Sequence, residues 1–228
     1  MIKIKNCYLC GNSKFDQKEG VVRDVPELEI YQCKICGLVF LSSFDHIKDS
    51  FYKESGMHEG SLNVKAWLSN TAKDDQRRFE YLKELLPNRS LMDFGCGAGG
   101  FLLRAKEAAA SVCGIELDRR LSKHFIENNL AVDRELSDQV NKANHYDIIT
   151  MFHVMEHLPD PKKILLKLAD LLTNRGEIII EVPSAEDALL TLYNSKAFSE
   201  FTYWSCHLYL FTEKTLEMLF SQIGLKVN

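Results

Sequence analysis

The sequence has no apolar run long enough to span a bilayer. Its densest stretches, EIIIEV at 177–182 and KILLKLADLL at 163–172, stop well short of the roughly 20 residues a crossing helix needs. The opening MIKIKNCYLC holds neither the apolar core nor the small-residue cleavage site of a secretory signal. These absences predict a cytoplasmic protein with no membrane partner. That compartment keeps thiols reduced, so the seven cysteines are not read as a disulfide framework. A basic excess is also missing: 28 Lys and Arg stand against 32 Asp and Glu, for a net charge of −4. A chain that grips nucleic acid carries a basic stripe, and here Arg77-Arg78 and Arg119-Arg120 are isolated pairs that read as solvated helix faces. Internal repeats and low-complexity tracts are absent. What remains is an ordinary globular composition, 46% hydrophobic and 26% charged, over 228 residues. That length accommodates one sizeable domain and a small appendage.

Residues 1–45 stand apart as the appendage. They hold four of the seven cysteines, and the runs ELEIYQC and CGLVFL suggest a small hairpin. Residues 46–61 read as a connector. From 62 onward helices and strands alternate. Phe79, Leu82 and Leu86 form a helical stripe ended by Pro87. SLMDF, VCGIE, LAV, YDIITMF and EIIIEV read as strands, with helices between them. Asp160-Pro161 opens one helix and Asn174-Arg175-Gly176 is expected to stop it. The last helix, TEKTLEMLFSQIG, has Gly224 where a C-terminal cap belongs. Such alternation predicts an α/β domain with a mostly parallel, doubly wound sheet.

The stretch LMDFGCGAGGFLL, beginning at Leu91, places Gly95, Gly97, Gly99 and Gly100 between a strand and a helix. Glycine allows the backbone to turn sharply and to approach a ligand closely, and this junction lies at the carboxyl edge of a parallel sheet, where ligands bind. Two cofactors fit the spacing. Gly95-x-Gly97-x-x-Gly100 satisfies the dinucleotide pattern, whereas Asp93-x-Gly95-x-Gly97-x-Gly99 satisfies that of S-adenosylmethionine sites. A carboxylate at Asp93 would repel a pyrophosphate but attract an ammonium group. Glu116 follows about 20 residues later at the end of the second strand, the spacing for an acid that accepts hydrogen bonds from ribose hydroxyls. Leu117 would then lie beside the adenine.

LMDFGCGAGGFLL, VCGIELD, YDIITMFHVMEHLPDP and GEIIIEVPS, in this order, resemble the successive motifs of class I S-adenosylmethionine-dependent methyltransferases over residues 62–228. The resemblance implies a Rossmann-like fold. It also implies that Asp93, Phe94, Gly95, Cys96 (through its backbone), Gly97 and Gly99 surround the methionine end. Glu116 would hold the ribose, and Phe152 and His153 would flank the cofactor. Glu156-His157 matches the family's recurrent acid–histidine pair, and Asp138 is a candidate for the adenine. The family sheet ends with a strand, a turn and an antiparallel strand. GLKVN would be the first of these, so either the chain is a fragment or the sheet lacks its last strand.

Cys7-x-x-Cys10-Gly and Cys33-x-x-Cys36-Gly are matched knuckles, a spacing that can wrap one tetrahedral ion. They predict a closed, structural Zn²⁺ site that stabilises a lobe too small to hold a core of its own. Residues 1–40 carry six basic and five acidic side chains, a weak surface for phosphate. The arrangement resembles instead the N-terminal ribbon of methyltransferases of sugar and glycan biosynthesis. The expected acceptor is therefore a small polar molecule, a nucleotide-linked sugar, methylated at O or C. An rRNA or tRNA methyltransferase and a non-catalytic cofactor-binding or interaction module are the alternatives, with an NAD-dependent oxidoreductase behind them. For a general base the candidates are His207, within the aromatic stretch FTYWSCHLYLF, and His153. His157 reads as a structural residue before Pro159. The sequence leaves the oligomeric state open.

Overall fold

A computed structural model describes residues 2–47, 51–52, 62–139 and 145–227, excluding the side chains of 138 and 139. The side chain of Asp138 and most of the 46–61 connector therefore lie outside the described residues. In chain order the strands are Phe15–Lys18 (β1), Ile30–Cys33 (β2), Val39–Leu41 (β3), Ser90–Phe94 (β4), Ser111–Ile115 (β5), Val132–Asp133 (β6), Tyr146–Phe152 (β7), Leu172–Glu181 (β8) and Tyr209–Leu210 (β9). The helices are Val64–Leu82 (α1), Gly100–Ala105 (α2), Ser122–Glu127 (α3), Pro161–Ala169 (α4), Ala188–Thr191 (α5), Lys196–Thr202 (α6) and Glu213–Gln222 (α7). They form two compact units, one of Asp49–Phe152 and Ile164–Glu181, the other of Met1–Lys48, His153–Lys163 and Val182–Asn228.

The first unit is built on a parallel sheet of order β6-β5-β4-β7-β8. Parallel strands are covered on both faces, which is why β4 and β7 read as near-continuous apolar runs. Leu91, Met92, Ile148, Ile149 and Met151 are all 0% exposed, and each such side chain contributes about 1.5–3 kcal/mol through burial. One layer of core joins Leu82, Phe101, Leu102, Leu121, Phe125 and Ile148. The side chain of Asn63 caps α1 by accepting from the Ala66 amide at 3.0 Å. Further along that helix, Asp75 is buried and accepts from the Thr71 hydroxyl at 2.7 Å. A Cβ on Gly100 would come within 2.1 Å of the Asp75 carboxylate. Gly100→Ala should therefore lower stability by about 1–3 kcal/mol, read as a fall of several degrees in the thermal midpoint. An unchanged midpoint would show that Asp75 moves aside freely.

Two sequence expectations fail here. Asn174-Arg175-Gly176 does not end a helix in a loop; it lies inside β8, which starts at Leu172. The register jumps from Tyr146↔Leu172 to Ile148↔Glu177, a bulge that absorbs the extra residues. Gly176 fits because a Cβ there would meet the Tyr146 carbonyl oxygen at 2.9 Å. Residues 225–227, expected to form a strand, carry none.

The second unit holds an antiparallel sheet of order β1-β2-β3-β9. The anticipated hairpin is β2 and β3, with Ile30 opposite Leu41. The second cysteine knuckle is its turn, closed by the Gly37 amide donating to the Cys33 carbonyl at 3.0 Å. The sheet begun by residues 15–41 takes its fourth strand from Tyr209–Leu210. α7 starts with a reciprocal cap between Thr212 and Thr215 and is followed by Gly224 at φ 77°, the left-handed conformation of a C-terminal cap.

Candidate functional site

In the parallel sheet, β4 lies between β5 and β7, and the chain leaves it through the glycine turn at the carboxyl edge. β4 and β7 pair Asp93 with Thr150, and the Thr150 hydroxyl donates to Asp93 Oδ1 at 2.7 Å. Asp93 is 3% exposed, and burial pushes its carboxyl up to about 7 despite that hydrogen bond. The amides of Gly95 and Cys96 both donate to the Ile115 carbonyl, at 2.8 and 3.0 Å. Gly97 and Gly99 adopt φ of 54° and 76°, which side-chain-bearing residues reach only with strain. The Gly97 amide donates to Glu116 Oε2 at 2.9 Å, and the Asp118 amide to Glu116 Oε1 at 2.9 Å. Burial raises the Glu116 carboxyl as well, and the Cys96 thiol well above its ordinary value. Phe94 ends β4, half-buried, and Leu117 follows Glu116 in the next loop. The Phe152 ring stands edge-on to Phe101 at 5.1 Å, with the Arg78 guanidinium 4.7 Å from its centroid.

The structure thus gathers Asp93, Phe94, Gly95, Cys96, Gly97, Gly99 and Glu116 at one sheet edge. The carboxyls of Asp93, buried, and Glu116, partly buried, both have raised proton affinity, an acceptor set that fits a ligand bearing an ammonium group and vicinal hydroxyls. Sequence reasoning missed three neighbours. Thr150 could have been found from its register opposite Asp93. Trp67, whose ring would lie 3.0 Å from a Cβ on Gly97, gives that glycine a packing reason besides any ligand. Arg134 donates to the backbone carbonyls of Glu116 and Asp118, at 3.1 and 2.9 Å, and so fixes the loop after β5.

His153 and His207 belong to the other unit. His153 has φ 53°, a side chain 48% exposed, and Nδ1 3.3 Å from Glu156 Oε1. His207 bonds the Thr202 carbonyl through Nδ1 at 2.7 Å, and burial pushes it down to about 4. His157 bonds the Cys206 carbonyl at 2.8 Å.

The same unit brings the four cysteines of the two knuckles together, with all four sulfurs within 4.8 Å of one another. Cys7 lies 3.5 Å from Cys36 and Cys10 lies 3.4 Å from Cys33, sulfur to sulfur. Backbone amides of Leu9 and Cys10 face the Cys7 sulfur, and those of Ile35 and Cys36 face the Cys33 sulfur. Burial raises the Cys7 thiol to about 11, whereas at Cys33 burial is outweighed by those amides and the thiol falls to about 7. Amides aimed at sulfur stabilise thiolates, and a closed set of four fits a tetrahedral Zn²⁺.

No helix among the described residues is long and apolar enough to cross a membrane. A family model described as a methyltransferase domain matches residues 68–228. A ubiquinone biosynthesis O-methyltransferase of Bordetella avium is 32% identical over 112 residues, covering 43% of this chain and 46% of the relative. A protein of the same name from Nitrosomonas europaea is 32% identical over 111 residues, covering 43% and 47%. The chain spans about half the length of these curated relatives. The crystal structure of a SAM-dependent methyltransferase from Archaeoglobus fulgidus superposes with a TM-score of 0.53 at 22% identity, covering 77% of this chain and 74% of that one. These relatives correct the expected acceptor. They are named for ubiquinone biosynthesis, so the nucleotide-linked sugar, drawn from the loose likeness of the cysteine ribbon, is withdrawn as substrate and partner. The chain belongs to the methyltransferase-domain family, and its sheet is that of the class I S-adenosylmethionine-dependent methyltransferases.

Proposed function

We propose that the chain methylates a hydroxyl oxygen of an aromatic quinone precursor, with S-adenosylmethionine as donor. The convergence of Asp93 and Glu116 on the glycine turn carries the donor half of this reading. The names of the relatives support the acceptor half. In this reading residues 62–228 are the methyltransferase domain, 46–61 the connector and 1–45 a lobe closed by Zn²⁺ on Cys7, Cys10, Cys33 and Cys36. Seven cysteines with no disulfide among them suit a reducing compartment, and the cytoplasm is the proposed location.

When bound, the cofactor supplies an electrophilic methyl group on a sulfonium. Asp93 receives its ammonium, Glu116 accepts from its ribose hydroxyls, and Gly95, Gly97 and Gly99 allow close backbone approach, with Phe94, Cys96, Leu117 and Phe152 around them. His153 is the proposed base. It takes the hydroxyl proton as the oxygen–carbon bond forms and the carbon–sulfur bond breaks, giving a methyl ether and S-adenosylhomocysteine. His153 is half exposed, which supports this role over His207, whose buried ring is too weak a base near neutral pH.

The test is turnover with catechol-type quinone precursors. Product should gain the mass of one methylene, in step with S-adenosylhomocysteine. His153→Ala should lower kcat by about 100-fold or more while leaving S-adenosylhomocysteine affinity nearly unchanged. A chain that binds S-adenosylhomocysteine but methylates no hydroxylated aromatic would refute the acceptor.

A further inference from the structure

The segment His153–His157 holds one buried acid facing three histidines, and backbone carbonyls sort the histidines into different jobs. Glu156 is 0% exposed and its Oε2 has no hydrogen-bond partner among the described residues. An ionised group shut away from water with an oxygen unmet is costly, so its retention asks for a use. The titratable groups facing it are His153 and His157 from its own segment and His207 from the stretch before β9. His157 is committed elsewhere: burial keeps it neutral, and its Nδ1 donates to the Cys206 carbonyl at 2.8 Å, so its other nitrogen has no proton to offer. His207 is neutral near pH 7, with Nδ1 donating to the Thr202 carbonyl, so its other nitrogen carries no proton to offer. That leaves His153 Nδ1, 3.3 Å from Glu156 Oε1, as the hydrogen-bond donor to the carboxylate.

We propose that Glu156 is the positioning residue of the reaction, holding His153 in the one tautomer, protonated at Nδ1, whose basic nitrogen is Nε2. The role rests on the reading of His153 as the base. The surrounding backbone is built to keep the pair in place. His153 sits at φ 53°, a conformation a histidine adopts only when its neighbours impose it. The Leu208 amide donates to the Glu156 carbonyl at 2.8 Å, and the His157–Cys206 bond pins the turn from the same side. At Glu156 burial favours the neutral acid, but the His153 hydrogen bond and the nearby imidazoles outweigh it and keep the carboxyl below its ordinary range. An anion at this spot stabilises protonated His153 and directs its proton exchange to Nε2. No proton needs to reach Glu156 at any step.

The test is Glu156→Gln, which keeps the shape and an acceptor but removes the charge. The acid limb of the kcat/KM profile should move down by about one pH unit, because His153 loses its proton more readily without the anion. On the alkaline plateau kcat should fall by at least about 10-fold, since the tautomer is no longer fixed, and S-adenosylhomocysteine affinity should hold. Glu156→Asp should restore part of both effects. Imidazole nitrogen resonances, with His153 assigned by loss in His153→Asn, give a readout independent of turnover. In the wild type they should report the Nδ1–H tautomer above the acid limb. An Nε2–H tautomer there, or an unmoved His153 titration in Glu156→Gln, overturns the proposal. Should Glu156→Gln fail to fold, the wild-type tautomer still decides. Full turnover in His153→Ala would refute His153 as base, whereas the nitrogen shifts would still judge what Glu156 does to His153.

Discussion

Glu116→Ala is expected to weaken S-adenosylhomocysteine binding by at least about 100-fold. Two sets of bonds are lost together. The carboxylate accepts from the Gly97 and Asp118 amides, each at 2.9 Å, and so ties the glycine turn to the loop after β5. In the proposed complex the same oxygens use their remaining lone pairs for the ribose hydroxyls. Hydrogen bonds to a charged group contribute about 1.5–3 kcal/mol each, and losing two of them corresponds to roughly 10²–10⁴ in affinity. Glu116→Gln keeps one acceptor oxygen and should fall between. Calorimetric titration measures both variants. Affinity within a few-fold of wild type for Glu116→Ala would remove the ribose role and leave the residue only a loop-fastening one.

The second large effect is expected for Cys33→Ser. Its sulfur is faced by the backbone amides of Ile35 and Cys36, and it stands where the β2–β3 hairpin turns. Wild-type protein should carry about one zinc per chain, and the variant should hold it far more weakly and yield it readily to a chelator. Structural zinc binding is worth about 10–16 kcal/mol, so losing one of four ligands costs roughly 3–4 kcal/mol. In a chain of this size that is a fall of about 10 °C in the thermal midpoint. Chelation of the wild type should lower the midpoint in the same direction. Metal-free protein that is folded and presents four reactive thiols in this unit would rule the zinc out.

The sequence was legible where the physics is local. SLMDF and YDIITMF match β4 and β7 residue for residue, because a strand buried on both faces is largely apolar. Gly224 caps α7 because few other residues tolerate its conformation. The two knuckles meet because matched spacing has few geometric solutions. The rest depends on distant partners. Nothing near Tyr209 announces that it will pair with Phe40. Gly176 looks like a helix stop until Tyr146 is seen lying across it. Asp75 and Trp67 sit on a helix whose stripe predicts only a buried face, yet they pack against Gly100 and Gly97. The three histidines near Glu156 differ in exposure and in what each ring meets, the Glu156 carboxylate for His153 and the Cys206 and Thr202 carbonyls for His157 and His207, which no pattern of residues encodes. The sugar acceptor rests on the cysteine knuckles alone, and four clustered cysteines carry no information about the substrate.

Because β9 lies roughly 170 residues after β3, the sheet begun by β1, β2 and β3 cannot be completed until the chain has been made through Leu210 and that segment has left the ribosome. At about 5–20 residues per second, the first hairpin waits something like ten to thirty seconds with β3 exposed along one edge. During that interval the nascent chain has to guard this edge against pairing with a neighbour, and an ion captured early by the two knuckles would hold the hairpin in register until its last strand arrives.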